Sequence, residues 1–129
     1  PYSIAIQLLQ SNLTSKDFLI DAIDISRLAL EKAKRGVYTS YSFRNDCIKN
    51  SKIYEYFDID HNQFKIKNLV SDCVNFRHEN ILSRPLSWKY DVIFCKNILI
   101  YMVQSAQTKL LKYIDTLLND KGVLFVSPV

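Results

Sequence analysis

The stretch Tyr90–Met102, YDVIFCKNILIYM, constrains the fold more than any other part of the chain. Asp91 leads into an apolar run, Val92-Ile93-Phe94-Cys95. The polar pair Lys96-Asn97 interrupts it, and a second apolar run follows from Ile98 to Met102. A short apolar run carrying β-branched residues predicts a strand buried on both faces. The polar break then marks the carboxyl end of that strand. In open α/β sheets, ligands bind outside the carboxyl ends of the strands. Cys95, Lys96, Asn97 and Tyr101 are therefore the first candidates for chemistry.

The flanking segments supply strands and helices in alternation. Residues 1–9 predict a helix that begins at Pro1, with Ile4, Ala5, Leu8 and Leu9 on one face. Phe18–Ile23 predicts a buried strand ended by Asp24. Ser26 predicts an N-cap, followed by a helix over Arg27–Arg35 with Leu28, Leu30 and Ala33 inward and Gly36 at its end. Arg44–Phe57 predicts a short helix carrying Ile48, Ile53 and Tyr54. Asp58–Asn62 predicts a turn, and Gln63–Lys67 a half-exposed strand. Asp72–Glu79 alternates, with Val74, Phe76 and His78 on one face, and runs into Asn80-Ile81-Leu82. Ser83–Lys89, with Pro85, reads as a loop. Gln104–Leu118 carries a helical stripe of Gln107, Leu110, Leu111, Ile114, Leu117 and Leu118. Asn119–Gly122 predicts a turn into a last strand, Val123–Val126. Strands alternating with helices predict an α/β fold with a mostly parallel sheet, in which Val37–Lys67 is an insertion. Both ends of this pattern look cut, because the chain opens inside a helix and stops just after a strand.

Composition narrows the function. At 129 residues the chain holds one domain. Its two glycines, Gly36 and Gly122, both follow helical patterns, so these residues contain no glycine-rich phosphate loop. Asp24, an acidic residue at the end of a strand, has two readings. It can hold ribose hydroxyls, as in nucleotide-binding α/β folds, where the acidic residue lies about 20 positions after the glycine loop. It can equally well only cap the next helix. Spacing alone leaves these even. The net charge of +4 suits an acidic protein partner. The basic group Lys32, Lys34 and Arg35 closes a helix, where cations complement the dipole, and basic residues interleaved with stacking aromatics, as a nucleic-acid face needs, are weak here. Cys47, Cys73 and Cys95 are odd in number and widely spaced, which fits a reducing cytoplasm. His61 and His78 have no ligand-like spacing, so no metal is expected. No apolar run reaches membrane-spanning length, and no signal peptide is expected.

Several motifs occur in a telling order: Pro1-Tyr2-Ser3-Ile4-Ala5, Ala22-Ile23-Asp24-Ile25, Leu30–Tyr38 (LEKAKRGVY), Asn80-Ile81-Leu82 and Ile93–Tyr101 (IFCKNILIY). Together they closely resemble the chemotaxis receptor glutamate methyltransferases, the CheR family, across essentially the whole chain. The resemblance implies a Rossmann-like sheet that binds S-adenosylmethionine (AdoMet), with a small β-subdomain at 37–67. It implies strand order 3-2-1-4-5, in which the strand ending at Asp24 is strand 2 and the one ending at Cys95 is strand 4. Strand 1 and its glycine loop would precede Pro1, so residues 1–129 are expected to be a partial catalytic domain, incomplete at both ends and poorly stable alone. By motif, Asp24 would bind the ribose hydroxyls and Asn80 and Ile81 would flank the adenine. Cys95, Lys96 and Asn97 would line the methionine end, and Tyr101 would sit beside the sulfonium and the incoming carboxylate. The family usually has arginine where this chain has Lys96. Lysine keeps the charge attraction but lacks the planar fork that grips a carboxylate bidentately.

The implied reaction is methyl transfer from AdoMet to glutamate side chains of a methyl-accepting chemotaxis receptor, by a cytoplasmic monomer. A glutamate carboxylate ionises at about pH 4.3 and needs no general base at neutral pH. A nucleic-acid amino-methyltransferase would want a Pro-Pro-Tyr/Phe-type loop after the central strand, and this chain has Cys95-Lys96-Asn97-Ile98 there. The competing expectation is a degenerate module that binds AdoMet or a partner without turnover, and Lys96 is the feature that favours it.

Overall fold

The computed structural model describes residues 1–43, 51–83 and 87–127. The chain divides into two compact units, Pro1–Glu79 and Asn80–Val129.

The first unit opens with helix α1, Tyr2–Gln10. Pro1 precedes it, and its carbonyl accepts the Ile4 and Ala5 N–H groups, both at 3.0 Å. Tyr2, Ala5 and Ile6 are buried and Leu9 packs beside them. The buried stripe is thus 2-5-6-9 rather than the expected 4-5-8-9. Both have helical spacing, and the large Tyr2 ring decides between them. Strand β1, Ile20–Asp24, follows, then helix α2, Arg27–Arg35. Ser26 caps α2 as expected, its hydroxyl accepting the Ala29 N–H at 3.2 Å. Leu30 is buried, but Leu28 is 73% exposed, correcting the expected inward set. Residues two apart lie about 200° apart around a helix and cannot both face inward.

Gly36 ends α2 with φ +60° and its N–H on the Ala33 carbonyl at 3.0 Å. Its carbonyl accepts the Ile66 N–H at 2.8 Å. The chain then enters a three-stranded antiparallel sheet of β2 (Val37–Thr39), β3 (Phe57–Asp60) and β4 (Gln63–Ile66), in the order β2-β4-β3. The expected turn over Asp58–Asn62 is only His61-Asn62. Asp58 and Asp60 belong to β3 and pair with Lys65 and Gln63. The aspartates look like turn formers, yet they occupy the outward positions of an alternating strand with Phe57 inward. His61 takes φ +51° in the hairpin. Part of the helix expected over Arg44–Phe57 is a 3₁₀ turn, Ser51–Tyr56. Residues 44–50, including Ile48, lie outside the described residues.

A short helix α3, Asn68–Ser71, leads to β5, Val74–His78. β5 pairs in parallel with β1 from Ile20↔Val74 to Asp24↔His78, the neighbours expected of strands 2 and 3. The β1 strand is half-buried rather than buried. One core joins both sheets of this unit. Tyr2 makes edge contacts with Tyr38 of β2 (6.5 Å between centroids) and Phe76 of β5 (5.7 Å), and Ala5, Ile6, Phe57, Ile66, Val70, Cys73 and Val74 fill the space around it.

The second unit contains β6 (Tyr90–Cys95), a 3₁₀ turn (Leu99–Tyr101), α4 (Gln104–Leu117) and β7 (Leu118–Val126). β6 and β7 are parallel, with Val92↔Val123, Phe94↔Phe125 and Cys95↔Val126 in register, the neighbours expected of strands 4 and 5. The expected turn at Asn119–Gly122 is a bulged stretch of β7, lying between Leu118, paired with Tyr90, and Val123, paired with Val92. Leu118 is accordingly a strand residue and not part of the helical stripe.

Ile93 and Cys95 face the core of this unit, with Leu99, Leu110 and Ile114. The opposite face is open: Val92, Phe94, Val123 and Phe125 are 44–48% exposed, and the two phenyl rings stack at 4.8 Å. Burial of β6 on both faces is therefore not observed. α4 covers one side, and within this unit no other described helix covers the other. Among the described residues, no helix is long and apolar enough to cross a membrane.

Candidate functional site

The parallel strands present two carboxyl ends, one in each unit, and the predicted site residues gather at them.

In the second unit, Cys95 closes β6 and is buried against Leu99, Leu110 and Ile114. Burial pushes its thiol above the ordinary cysteine value, so it lines the strand end as a protonated group rather than a nucleophile. Lys96 follows and is exposed. Asn97 reverses the chain with φ +58°, a conformation that asparagine tolerates better than most residues. Ser127, just past β7, fastens this turn. Its hydroxyl accepts the Asn97 N–H at 3.3 Å and donates to Asn97 Oδ1 at 3.2 Å. The chain then drops Leu99 into the core and lifts Tyr101 out, the first buried and the second 83% exposed. Gln107, on α4, donates through Nε2 to the carbonyls of Leu99 at 3.0 Å and Met102 at 3.1 Å. Ile81 and Leu82 pack on the Cys95–Leu110 cluster. The Asn80 side-chain oxygen accepts the Leu82 N–H at 3.0 Å, shaping the turn that presents this segment. Asn80, Ile81, Cys95, Lys96, Asn97 and Tyr101 therefore all belong to this unit.

Asp24 closes β1 in the first unit. Its Oδ1 accepts the Ser26 N–H at 2.8 Å and its carbonyl accepts the Glu79 N–H at 3.2 Å. His78 Nε2 lies 2.9 Å from the next carbonyl, that of Ile25. Ser26, not Asp24, caps α2; the Asp24 carboxylate accepts the N–H of that cap residue and so shapes the turn into the helix, using one of its two oxygens. Among the described residues no hydrogen bond reaches Oδ2, and the side chain is exposed. A carboxylate oxygen held at a strand end by a capped turn is an acceptor suited to a pair of adjacent hydroxyls.

Residues 1–127 match the family described as CheR methyltransferase, SAM binding domain. The chain belongs to the CheR methyltransferase family. AdoMet is the cofactor of this family's domain, and the free Asp24 oxygen fits the ribose end of such a molecule. The chain is 33% identical over 131 residues to a probable biofilm formation methyltransferase, WspC, of Pseudomonas aeruginosa, covering 99% of the chain and 31% of that protein. It is 33% identical to a chemotaxis protein methyltransferase of Vibrio parahaemolyticus, over 98% of the chain and 48% of that protein. A probable chemotaxis protein methyltransferase of Rhizobium etli is 28% identical over 98% of the chain and 49% of its own length. The chain thus spans between about a third and a half of the length of these relatives.

Sequence reasoning on this CheR domain missed Ser127 and the role of Gln107. Ser127 had a signal: it follows β7 at the position where Lys96 follows β6, in line with the register Cys95↔Val126. Gln107 was legible only as a polar residue inside an apolar helical stripe.

Proposed function

We propose that the protein transfers methyl groups from AdoMet to glutamate side chains of a chemotaxis receptor, giving methyl esters. The observation that carries this is the match of residues 1–127 to the CheR SAM-binding domain, supported by relatives named chemotaxis protein methyltransferase.

AdoMet supplies a methyl group on a positively charged sulfonium. Asp24 Oδ2 accepts hydrogen bonds from the ribose hydroxyls. Asn80 and Ile81 flank the adenine. Cys95, Lys96 and Asn97 line the methionine end, and the neutral Cys95 thiol adds no competing charge. Tyr101 extends from its turn beside the reacting centre. The Lys96 ammonium attracts the acceptor carboxylate, which is the role its exposure and charge suit best. A carboxylate oxygen forms the new C–O bond as the C–S bond breaks, and the electron pair stays on sulfur. No proton is removed from the acceptor, so no general base is required. What remains for the protein is alignment of two reactants, worth roughly 7–11 kcal/mol when well oriented, and exclusion of water around charges that neutralise each other. The acceptor is a protein rather than a nucleic acid, and the enzyme works as a cytoplasmic monomer.

Lys96 favours a second reading, a module that binds AdoMet without turnover, because a lysine cannot grip a carboxylate bidentately. Transfer of labelled methyl from AdoMet to a receptor cytoplasmic fragment, measured on the intact gene product together with AdoMet binding, separates the two. Labelled, base-labile ester on the receptor supports the enzyme. Intact AdoMet binding without transfer supports the module, and a Lys96→Arg variant that gains transfer would locate the cause.

A further inference from the structure

We propose that Gln107 is a positioning residue that sets the direction of Tyr101. The inference rests on the placement of Tyr101 at the reacting centre proposed above. Tyr101 ends a 3₁₀ turn of three residues, Leu99–Tyr101, and little of its own side chain touches the protein, since it is 83% exposed. Its direction is therefore set by the turn beneath it. That turn is held from two sides. From below, Leu99 is buried with Cys95, Leu110 and Ile114. From the side, the half-buried Gln107 amide reaches back from the first turns of α4 to the carbonyls of Leu99 (3.0 Å) and Met102 (3.1 Å), which bracket Tyr101.

Both partners are carbonyl oxygens, so only the NH2 end of the amide satisfies them, and both of its hydrogens are used. The Gln107 backbone N–H adds a third link, to the Val103 carbonyl at 3.0 Å. Val103 stands at the N-cap of α4 without a side-chain cap of its own, so Gln107 joins the turn to the helix where the helix end supplies no side-chain fastening. The entropy lost by fixing a long amide side chain is comparable to the net gain from two hydrogen bonds. The clamp is thus close to neutral for stability, and what it supplies is orientation. Water could satisfy the same carbonyls but would not fix the turn to α4.

Two measurements on the intact gene product test this, using Gln107→Leu, which keeps a side chain of similar bulk and removes both donors. The first is hydrogen exchange. The Tyr101 and Met102 amides, bonded to Ile98 and Leu99 carbonyls at 3.2 and 3.0 Å, should exchange about two- to threefold faster in the variant, as loss of a weak net clamp allows, while Leu110 and Ile114 amides in α4 are unchanged. Unchanged exchange at Tyr101 and Met102 overturns the clamp. The second is a double-mutant cycle with Tyr101→Phe. Gln107→Leu should lower kcat about tenfold with AdoMet affinity within twofold, and cost less than twofold when Tyr101 is already Phe. Equal costs in both backgrounds overturn the action through Tyr101. If Tyr101→Phe transfers methyl as well as the unaltered protein, the role proposed for Tyr101 falls, and with it the purpose of the clamp, while the exchange result still decides whether the clamp exists. Should Gln107→Leu fail to fold, Gln107→Glu removes the same donors from a polar side chain and serves both measurements.

Discussion

Ser127 and Asn97 hold each other by two hydrogen bonds across the carboxyl ends of β6 and β7, Asn97 N–H to Ser127 Oγ at 3.3 Å and Ser127 Oγ–H to Asn97 Oδ1 at 3.2 Å. Asn97 needs this support because its φ of +58° is costly for a residue with a Cβ. Replacing it by alanine should cost about 1–2 kcal/mol in denaturant unfolding, through the left-handed backbone. Glycine, free in that region, should recover most of the loss in stability without recovering the bond to Ser127. A methyl-transfer defect that persists in Asn97→Gly would then belong to the side chain and not to the fold.

Asp24 Oδ1 accepts the Ser26 N–H, and Oδ2 is the oxygen proposed above to hold the ribose hydroxyls. Asp24→Asn keeps an acceptor for the Ser26 N–H but replaces the second oxygen with a donor. AdoMet affinity should fall about 10- to 100-fold, the size of a lost hydrogen bond to a charged group, with the melting temperature nearly unchanged. Asp24→Ala should lose the same affinity and also lower the melting temperature, since the Ser26 N–H loses its partner. Calorimetric titration and thermal melts read the two effects separately.

Gly36 is fixed by its backbone and by its neighbour together. With φ at +60°, a Cβ there would also stand 3.2 Å from the Ile66 Cβ. Gly36→Ala should destabilise the protein by about 1–2 kcal/mol from the backbone alone, with the antiparallel sheet giving the largest chemical-shift changes.

Burial raises the thiol values of both Cys73 and Cys95, with the Asp72 charge adding to the effect at Cys73. The unfolded chain releases these protons near pH 8.5, while the folded one retains them. The folded state then holds more protons, so stability falls as pH rises through that window and is complete below it. Denaturant midpoints between pH 7.5 and 9.5, ~2 units about that value, should decline, and less steeply in Cys73→Ala/Cys95→Ala. Both thiols should also react slowly with iodoacetamide in the folded protein.

The elements were legible where a local signal and a period agreed. Ser26 at the start of α2, Gly36 at its end and the apolar runs of β6 and β7 identify themselves, and the strand pairs β1–β5 and β6–β7 fall where the family resemblance puts them. Failures arose where partners far along the chain decide the outcome. Asp58 and Asp60 look like turn residues until Gln63 and Lys65 pair with them. Val92 and Phe94 are as apolar as Ile93 and Cys95, and only the position of α4 determines which pair is buried. Of the candidate site, the Cys95–Tyr101 segment is visible as a strand and its break. The supports are harder to see: the serine 30 residues from Asn97 is marked only by its place after β7, and the glutamine only as a polar residue in an apolar helical stripe.

Tyr2 ties the two sheets of the first unit to one core. Its ring is buried between Tyr38 on the antiparallel sheet and Phe76 on the parallel pair, and the same core holds both. Occupation of Asp24 by a ligand should therefore be felt by the β3–β4 hairpin without touching it, as slower opening of its amides. Exchange of that hairpin, followed with and without AdoMet, would then read the Asp24 site from the antiparallel sheet.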